Sequence, residues 1–304
     1  MSSRLPNSDC IPWLAVFILE CLAILILNII TIIVFVKQCQ LRRQSTYLII
    51  HLTIVDLLVG AVSGPLLIDK NLYFCDLQKP PASKYNWSIH LKFAVLHLFS
   101  FTSLVNLVFV SLERLHATFR PFKHRFVKKW IYGVIITVIW LTTTARELVQ
   151  IVLTEKGISN FYVDSTLYLP FYLISVFLIC VCYILIVVKV RCSRHPYHHG
   201  GASLRERKLT GTSLIVALVS LLSWLPLIIY LILGSLQKFP KRSQRSYFHI
   251  RMTLLSIFLI NSIVNPVIYA MRMPEFRASV LQIFCRTSSR LIQPDLPLRN
   301  LRPA

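Results

Sequence analysis

Seven stretches of this 304-residue chain stay apolar over the roughly 20 residues that a helix needs to cross a bilayer core. They run over 13–36, 46–68, 91–116, 130–153, 168–190, 209–233 and 248–271. Inside lipid every backbone N–H and C=O must be satisfied within the protein, so runs of this length predict helices. Seven of them predict an all-α membrane protein, a seven-transmembrane helix bundle. An eighth stretch, 274–286, is amphipathic and too short to span, and is expected to lie as a short surface helix. The division that follows is a short extracellular N-terminus at 1–12, the bundle at 13–271, and a cytoplasmic surface helix with its tail at 272–304. The first run is too long for the apolar core of a cleavable signal peptide and has no basic segment ahead of it. It is expected to stay as a spanning helix. With 1–12 alone before it, no outer domain for capturing a large ligand is expected.

Charge supports this reading. Only 15% of residues are charged and mean hydropathy is +0.64, whereas a soluble domain carries about 25% charged residues. A net charge of +21 raises the question of nucleic acid, but the basic residues fall between apolar runs, a pattern of membrane topology. No nucleic-acid partner is expected. The loops after the first, third and fifth runs and the C-terminal segment, with Glu113, Arg114 and Lys189 at the run ends included, hold 21 of the 33 Lys/Arg but only four of the 12 Asp/Glu. The positive-inside rule places these segments in the cytosol and the N-terminus outside, which an odd number of spans also requires. The triplet Asn86-Trp87-Ser88 then falls on the outer face, where Asn86 is a candidate glycosylation site.

Polar side chains at bilayer depth are costly and usually face the bundle interior. Asn28, Ser103, Asn106, Asn261, Ser262 and Asn265 all lie well inside spans. Any one of them could simply hydrogen-bond a neighbouring helix. Asp56 differs, because a lone carboxylate there must be protonated, paired or ion-bound.

These residues carry a resemblance. Asn265-Pro266-Val267-Ile268-Tyr269 resembles the NPxxY segment of rhodopsin-like (class A) G-protein-coupled receptors. Trp224-Leu225-Pro226 is similar to their WxP switch, and Glu113-Arg114-Leu115 to their DRY triplet. Leu52 to Asp56 gives their LxxxD carboxylate, Asn28 and Trp140 their marks in the first and fourth helices, and Phe276 the start of their surface helix. The series covers all seven runs in order. It implies a plasma-membrane receptor, without catalysis of its own, that transmits binding of an extracellular ligand to a cytosolic heterotrimeric G protein. It also implies an allosteric sodium site of Asp56, Ser103, Asn261, Asn265 and water beneath Trp224, with Asn28 bracing the seventh helix. No other cofactor is expected. Arg114 is implied to pair with Glu113, to reach Glu206 at rest, and to turn toward Tyr183 and Tyr269 on activation. Pro226 and Pro266 remove backbone hydrogen bonds and kink their helices.

The chain departs from the family in several places. Ile89 stands where the third helix carries a cysteine, and 147–168 contains none, so the usual outer bridge cannot form. Cys10 and Cys75, the two cysteines on the outer side, could supply a substitute. Ser175 replaces the fifth-helix proline. Missing both features resembles cannabinoid, lysophospholipid and melanocortin receptors. In the presumed ligand pocket Leu96 replaces the aspartate of amine receptors, Leu259 the retinal-linking lysine, and Leu231 the asparagine of adenosine receptors. The remaining wall, His97, Ser100, Trp224, Leu227 and Ile228 with Leu255 and Phe258, reads as an apolar slot with few donors. Lys92, Arg251 and the basic cluster in 238–245 would rim it. An amphiphile with an acidic head and a lipid-like tail fits that wall, as does a short peptide.

Other classes fit less well. A transporter or channel usually shows internal repeats or glycine-interrupted midplane helices, and neither is present. His90 and His97 share a face, and His195-Pro196-Tyr197-His198-His199 is histidine-rich, but no HExxH or equivalent metal set occurs. Cys285, after the surface helix, is a candidate palmitoylation site, and Arg277, Arg286 and Arg290 would hold that segment to anionic membrane lipids.

Overall fold

The computed structural model describes residues 7–37, 46–75, 77, 87–156, 161–192, 201–235, 244–274 and 276–283, and every regular element among them is helical. Helix α1 is Asn7–Lys37 and α2 runs through Tyr47–Leu58, Val59–Ser63 and Gly64–Phe74. Then follow α3 (Trp87–Phe119), a one-turn helix (Pro121–Arg125), α4 (Lys129–Glu155), α5 (Phe161–Cys192), α6 (Gly201–Ser235), α7 (Gln244–Arg272) and a short α8 over 276–283. Seven of them contain membrane-length apolar spans of 22 to 30 residues. Several helices begin ahead of their apolar run, because a helix does not stop where lipid stops. Helix α1 starts at Asn7 with Asp9 in its first turn, where a carboxylate complements the helix dipole. The polar residues 201–208 add about two turns to α6.

The distribution of side chains inverts that of a soluble protein. Leu19, Phe177 and Leu222 are each 66% exposed on the outside, while Asp56, Asn28, Asn106 and Arg114 have no exposed surface at all. Only lipid rewards that arrangement. Helix α1 packs on α2 and α7, α6 packs on α5 and α7, and α3 sits centrally against α2, α4, α5 and α6.

Two local devices set how α1 meets α2. Pro65 has no N–H and its ring would strike the carbonyl four residues back, so a regular α-helix cannot pass through it undisturbed. Val59–Ser63 takes up a π turn instead, with the Gly64 N–H reaching Val59 O, five residues back. Gly60 and Gly64 then let the helices close. A Cβ on Gly60 would sit 2.8 Å from Ile24 Cγ2, and one on Gly64 would sit 2.1 Å from Cys21 Sγ.

At the N-terminal end of α1 three links fasten it. A Cys10–Cys75 disulfide, with Cα atoms 6.0 Å apart, ties it to the end of α2. Arg245 Nη2 donates to Asp9 Oδ1 at 2.6 Å, and Trp13 Nε1 donates to His249 Nδ1 at 3.0 Å, both tying α1 to α7.

Gly64→Ala should therefore lower thermal stability by about 1–3 kcal/mol through overpacking. Gly133→Ala should be neutral, since nothing among the described residues lies within 4 Å of its Cβ position. Adding Cys21→Ala to Gly64→Ala removes the clashing sulfur and should recover most of the loss in a melting assay. An unrecovered loss would mean that the close α1–α2 approach is not the cause.

Candidate functional site

The polar centre forms where α2, α3 and α7 meet, just below the π turn. Asp56 Oδ1 accepts hydrogen bonds from Ser103 Oγ at 3.1 Å and Ser262 Oγ at 3.0 Å. Its Oδ2 accepts from Asn265 Nδ2 at 2.6 Å. The α2 carboxylate is thus held by donors from two other helices, which is how a buried charge is tolerated. Asn28 Nδ2 donates to the Ser262 carbonyl at 3.1 Å and to Ile24 O at 2.9 Å, joining α1 to α7 one step away. Asn261 makes no bond to Asp56 among the described residues. It lines a narrow adjoining cleft with Val59, Ser100, Ser103, Trp224, Phe258 and Ser262. Asn261 Oδ1, Ser100 Oγ and Trp224 Nε1, all buried, have no hydrogen-bond partner there. Ser262 is the carboxylate partner that the resemblance did not include.

A second network ties α2, α3 and α4. Trp140 Nε1 donates to His51 Nε2 at 3.0 Å, which leaves the ring proton on Nδ1, 3.2 Å from Asn106 Oδ1. Asn106 Nδ2 donates on to Leu48 O at 2.9 Å. No motif marks His51; the signal in the sequence is a histidine five residues before the buried acid.

At the far end of α3, Arg114 is fully buried and its guanidinium is paired with Glu113. Glu113 Oε1 also meets His124 Nε2 at 2.6 Å and accepts from Tyr132 OH at 3.5 Å, so the one-turn helix Pro121–Arg125 is moored to the same acid. Tyr183 and Tyr269 are buried in one apolar cluster with Val108 and Val216. The Tyr269 ring lies 6.3 Å from Phe35 and 6.4 Å from Phe276, joining α1, α7 and α8. Pro226 and Pro266 lie within continuous α6 and α7. The side chains of Glu206 and Leu231, and the whole of Asn86 and Cys285, lie outside the described residues.

The expected ligand wall is split in two. Leu96 and Leu255 pack with Phe17, Phe248 and Met252 between α1, α2, α3 and α7. Trp224, Leu227 and Ile228 pack with Phe101 and Tyr172 between α3, α5 and α6. Phe258 belongs to both groups and meets Trp224 edge-on at 4.8 Å. Arg251 is half-buried on α7, one turn before Leu255, and the His97 ring lies 5.7 Å from Tyr168. The slot is also less apolar than its expected lining suggests. Arg146 of α4 enters the bundle beside Phe101, paired with its neighbour Glu147, and Glu20 of α1 accepts a hydrogen bond from Ser256 of α7. The visible signal was a charge inside an apolar run; which way each pointed was not visible.

A helical membrane bundle closed on a buried carboxylate, with an arginine–acid pair at one end of its central helix, is the architecture of a seven-helix receptor. The family model for the 7 transmembrane receptor (rhodopsin family) matches residues 27–269, and the chain belongs to that family. It is 23% identical over 291 residues to somatostatin receptor type 1 of Rattus norvegicus, covering 89% of this chain and 71% of that protein. It is 25% identical over 279 residues to the allatostatin-A receptor of Bombyx mori, covering 84% and 74%. Neuropeptide receptor 22 of Caenorhabditis elegans is 24% identical over 307 residues, with 90% and 68% covered. The chain is a multi-pass G-protein-coupled receptor for an extracellular ligand, a signalling protein and not an enzyme.

The Asp56–Asn265 contact can be tested by exchange. Asn265→Asp alone places two carboxylates at hydrogen-bond distance in a buried site and should cut surface expression of a tagged receptor by about tenfold. Combining it with Asp56→Asn restores one acid and one amide and should recover expression. A double variant no better than the single one would disprove the contact.

Proposed function

We propose that this receptor lies in the plasma membrane with its N-terminus outside and is activated by a short extracellular peptide. The printed names of the relatives support the ligand class, since somatostatin, allatostatin-A and neuropeptide receptors recur among them. The excess of basic residues in the loops assigned to the cytosol supports the orientation. The observation that carries the mechanism is the junction at Asp56, where donors from α3 and α7 converge on one carboxylate next to a cleft under Trp224.

The residues there fit a sodium ion. A hard cation takes oxygen ligands, and the site offers the Asp56 carboxylate, the Ser103 and Ser262 hydroxyls and the unpartnered Asn261 Oδ1. Bound there, sodium would supply positive charge that favours the ionised carboxylate. Asp56, Ser103, Asn261 and Asn265, with Ser262, hold the resting arrangement of α3 and α7. Agonist contacts on Trp224 and Phe258 favour a second arrangement in which α6 moves about Pro226, where a backbone hydrogen bond is missing. Arg114 then leaves Glu113 and Glu206 for Tyr183 and Tyr269, opening the cytosolic end to a heterotrimeric G protein. Pro266 and Tyr269 let α7 follow. The His97, Ser100, Leu227, Ile228, Leu231, Leu255 and Phe258 wall, with Leu96 behind it and Arg251 at its rim, receives the peptide. Asn86 would carry glycan outside, and Cys285 an acyl chain that helps α8 hold to membrane lipid.

Nucleotide exchange on a panel of G proteins, with a peptide library that includes somatostatin and allatostatin-A, tests this reading. At least one peptide should stimulate exchange, and Arg114→Ala should reduce that response about tenfold or more without loss of surface receptor. Asp56→Asn should abolish any effect of sodium on agonist affinity. A library without a single active peptide removes the peptide reading, and unimpaired exchange by Arg114→Ala removes the switch.

A further inference from the structure

Arg146 is the charged group whose surroundings are least explained by the packing of the bundle. It lies on α4 ten residues before Lys156, in the half of the bundle nearer the Cys10–Cys75 disulfide, and its side chain is only 9% exposed. Its guanidinium carbon is 3.4 Å from the centroid of Phe101, 4.5 Å from Tyr168 and 5.7 Å from Phe171, so rings of α3 and α5 cover its faces. Stacking on rings leaves the donors of a guanidinium in its edges. Those edges are poorly used. The acid beside them is Glu147, the next residue on the same helix, and neighbours on a helix do not face one another. The two groups touch through Nη2 and Oε1, yet among the described residues Arg146 Nε, Nη1 and Nη2 and both Glu147 oxygens are buried without a hydrogen bond of proper geometry, the Tyr168 hydroxyl being the other polar group that bears on the guanidinium. A guanidinium prefers two parallel bonds to one carboxylate, which Glu147 cannot give from an adjacent position.

We propose that Arg146 is the anchor for a carboxylate of the ligand, which displaces Glu147 and forms the two-point pair that Glu147 cannot. This rests on the receptor reading above and names the chemistry its ligand must carry. Half-buried His97 and Tyr168, with rings 5.7 Å apart, lead from Arg146 toward the disulfide end. The aromatic rings beyond Arg146 carry the effect inward. Phe101 and Tyr172 lie 4.9 Å apart, Tyr172 and Trp224 lie 4.9 Å apart, and Trp224 lines the cleft next to Asp56. A carboxylate that draws Arg146 off Phe101 therefore disturbs the ring packed toward Trp224.

The carboxylate can come from a peptide C-terminus or from a lipid acid, and two matched pairs of probes separate them. N-acetylphenylalanine and its amide stand for the first, and decanoate and decanamide for the second. Each is measured by thermal shift on purified full-length receptor in micelles. In one pair the acid should bind at least about tenfold more tightly than the amide. Arg146→Gln should remove that preference, and Glu147→Gln, which takes away the competitor, should strengthen acid binding about threefold or more. If Arg146→Gln does not fold, Glu147→Gln and Arg146→Lys decide, the lysine retaining charge but losing most of the two-point preference. Equal binding of acid and amide in both pairs, a preference that survives Arg146→Gln, or weaker acid binding by Glu147→Gln overturns the proposal. These outcomes are independent of G-protein exchange, so failure here leaves the receptor reading standing, and absent exchange leaves this measurement interpretable.

Discussion

A carboxylate with no exposed surface, surrounded by helices that face lipid, imposes the central constraint on this molecule. Left alone, Asp56 would cost far more than the bundle could absorb. The three donors that meet it come from α3 and α7, so the cost is offset only if both helices stand in register with α2. Asn28 repeats the logic one layer out, gripping a carbonyl of the same α7 turn that supplies Ser262. Apolar side chains cannot impose this, because Leu against Leu is little different from Leu against lipid. The polar centre does the specifying and the apolar surface only keeps the helices in the membrane.

Helix α1 has a matching role as a strut. Its Ile24 and Cys21 fit against two glycines of α2, Gly60 within the π turn and Gly64 just after it. Its N-terminal end is fastened to α2 by the disulfide and to α7 by Asp9 and Trp13. Those links gather α1, α2 and α7 at one end and leave α3, α4 and α5 without a covalent tie there among the described residues. Arg146 enters the bundle on that less restrained side, which suits a site that must admit a ligand.

The spans were legible in the sequence because lipid makes one demand on every residue of a run, and counting apolar residues answers it. Asp56 was legible for the opposite reason, as the exception the membrane does not forgive. Rotation about each helix axis was not legible. Nothing in 130–153 says that Arg146 turns inward under the rings of α5 rather than outward toward a headgroup, since both satisfy a long cation. Glu20 hid in the first run for the same reason. Pro65 was visible, but that Gly64 beside the π turn meets Cys21 was not, being a contact between separate segments. The disulfide needed a distance. Two cysteines were on hand, and only the early start of α1 at Asn7 brings Cys10 within 6.0 Å of Cys75 between Cα atoms.

Trp224 is where the separate parts become one device. Its ring touches Tyr172 on the side that leads to Arg146 and Phe258 on the side that leads to α7, while its nitrogen is buried with no partner among the described residues, beside the cleft of Asn261 and Ser100. Phe258 packs into both apolar clusters, so the tryptophan cannot turn without shifting the boundary between them. Close-packed interiors yield by exchanging one packing for another rather than by bending smoothly. Two residues after Trp224 comes Pro226, where α6 lacks a backbone hydrogen bond, and the repacking has its least resistance there. In the proposed mechanism a ligand at the disulfide end need not push on α6 at all. It has only to change which of two packings the Phe101, Tyr172 and Phe258 rings prefer around Trp224.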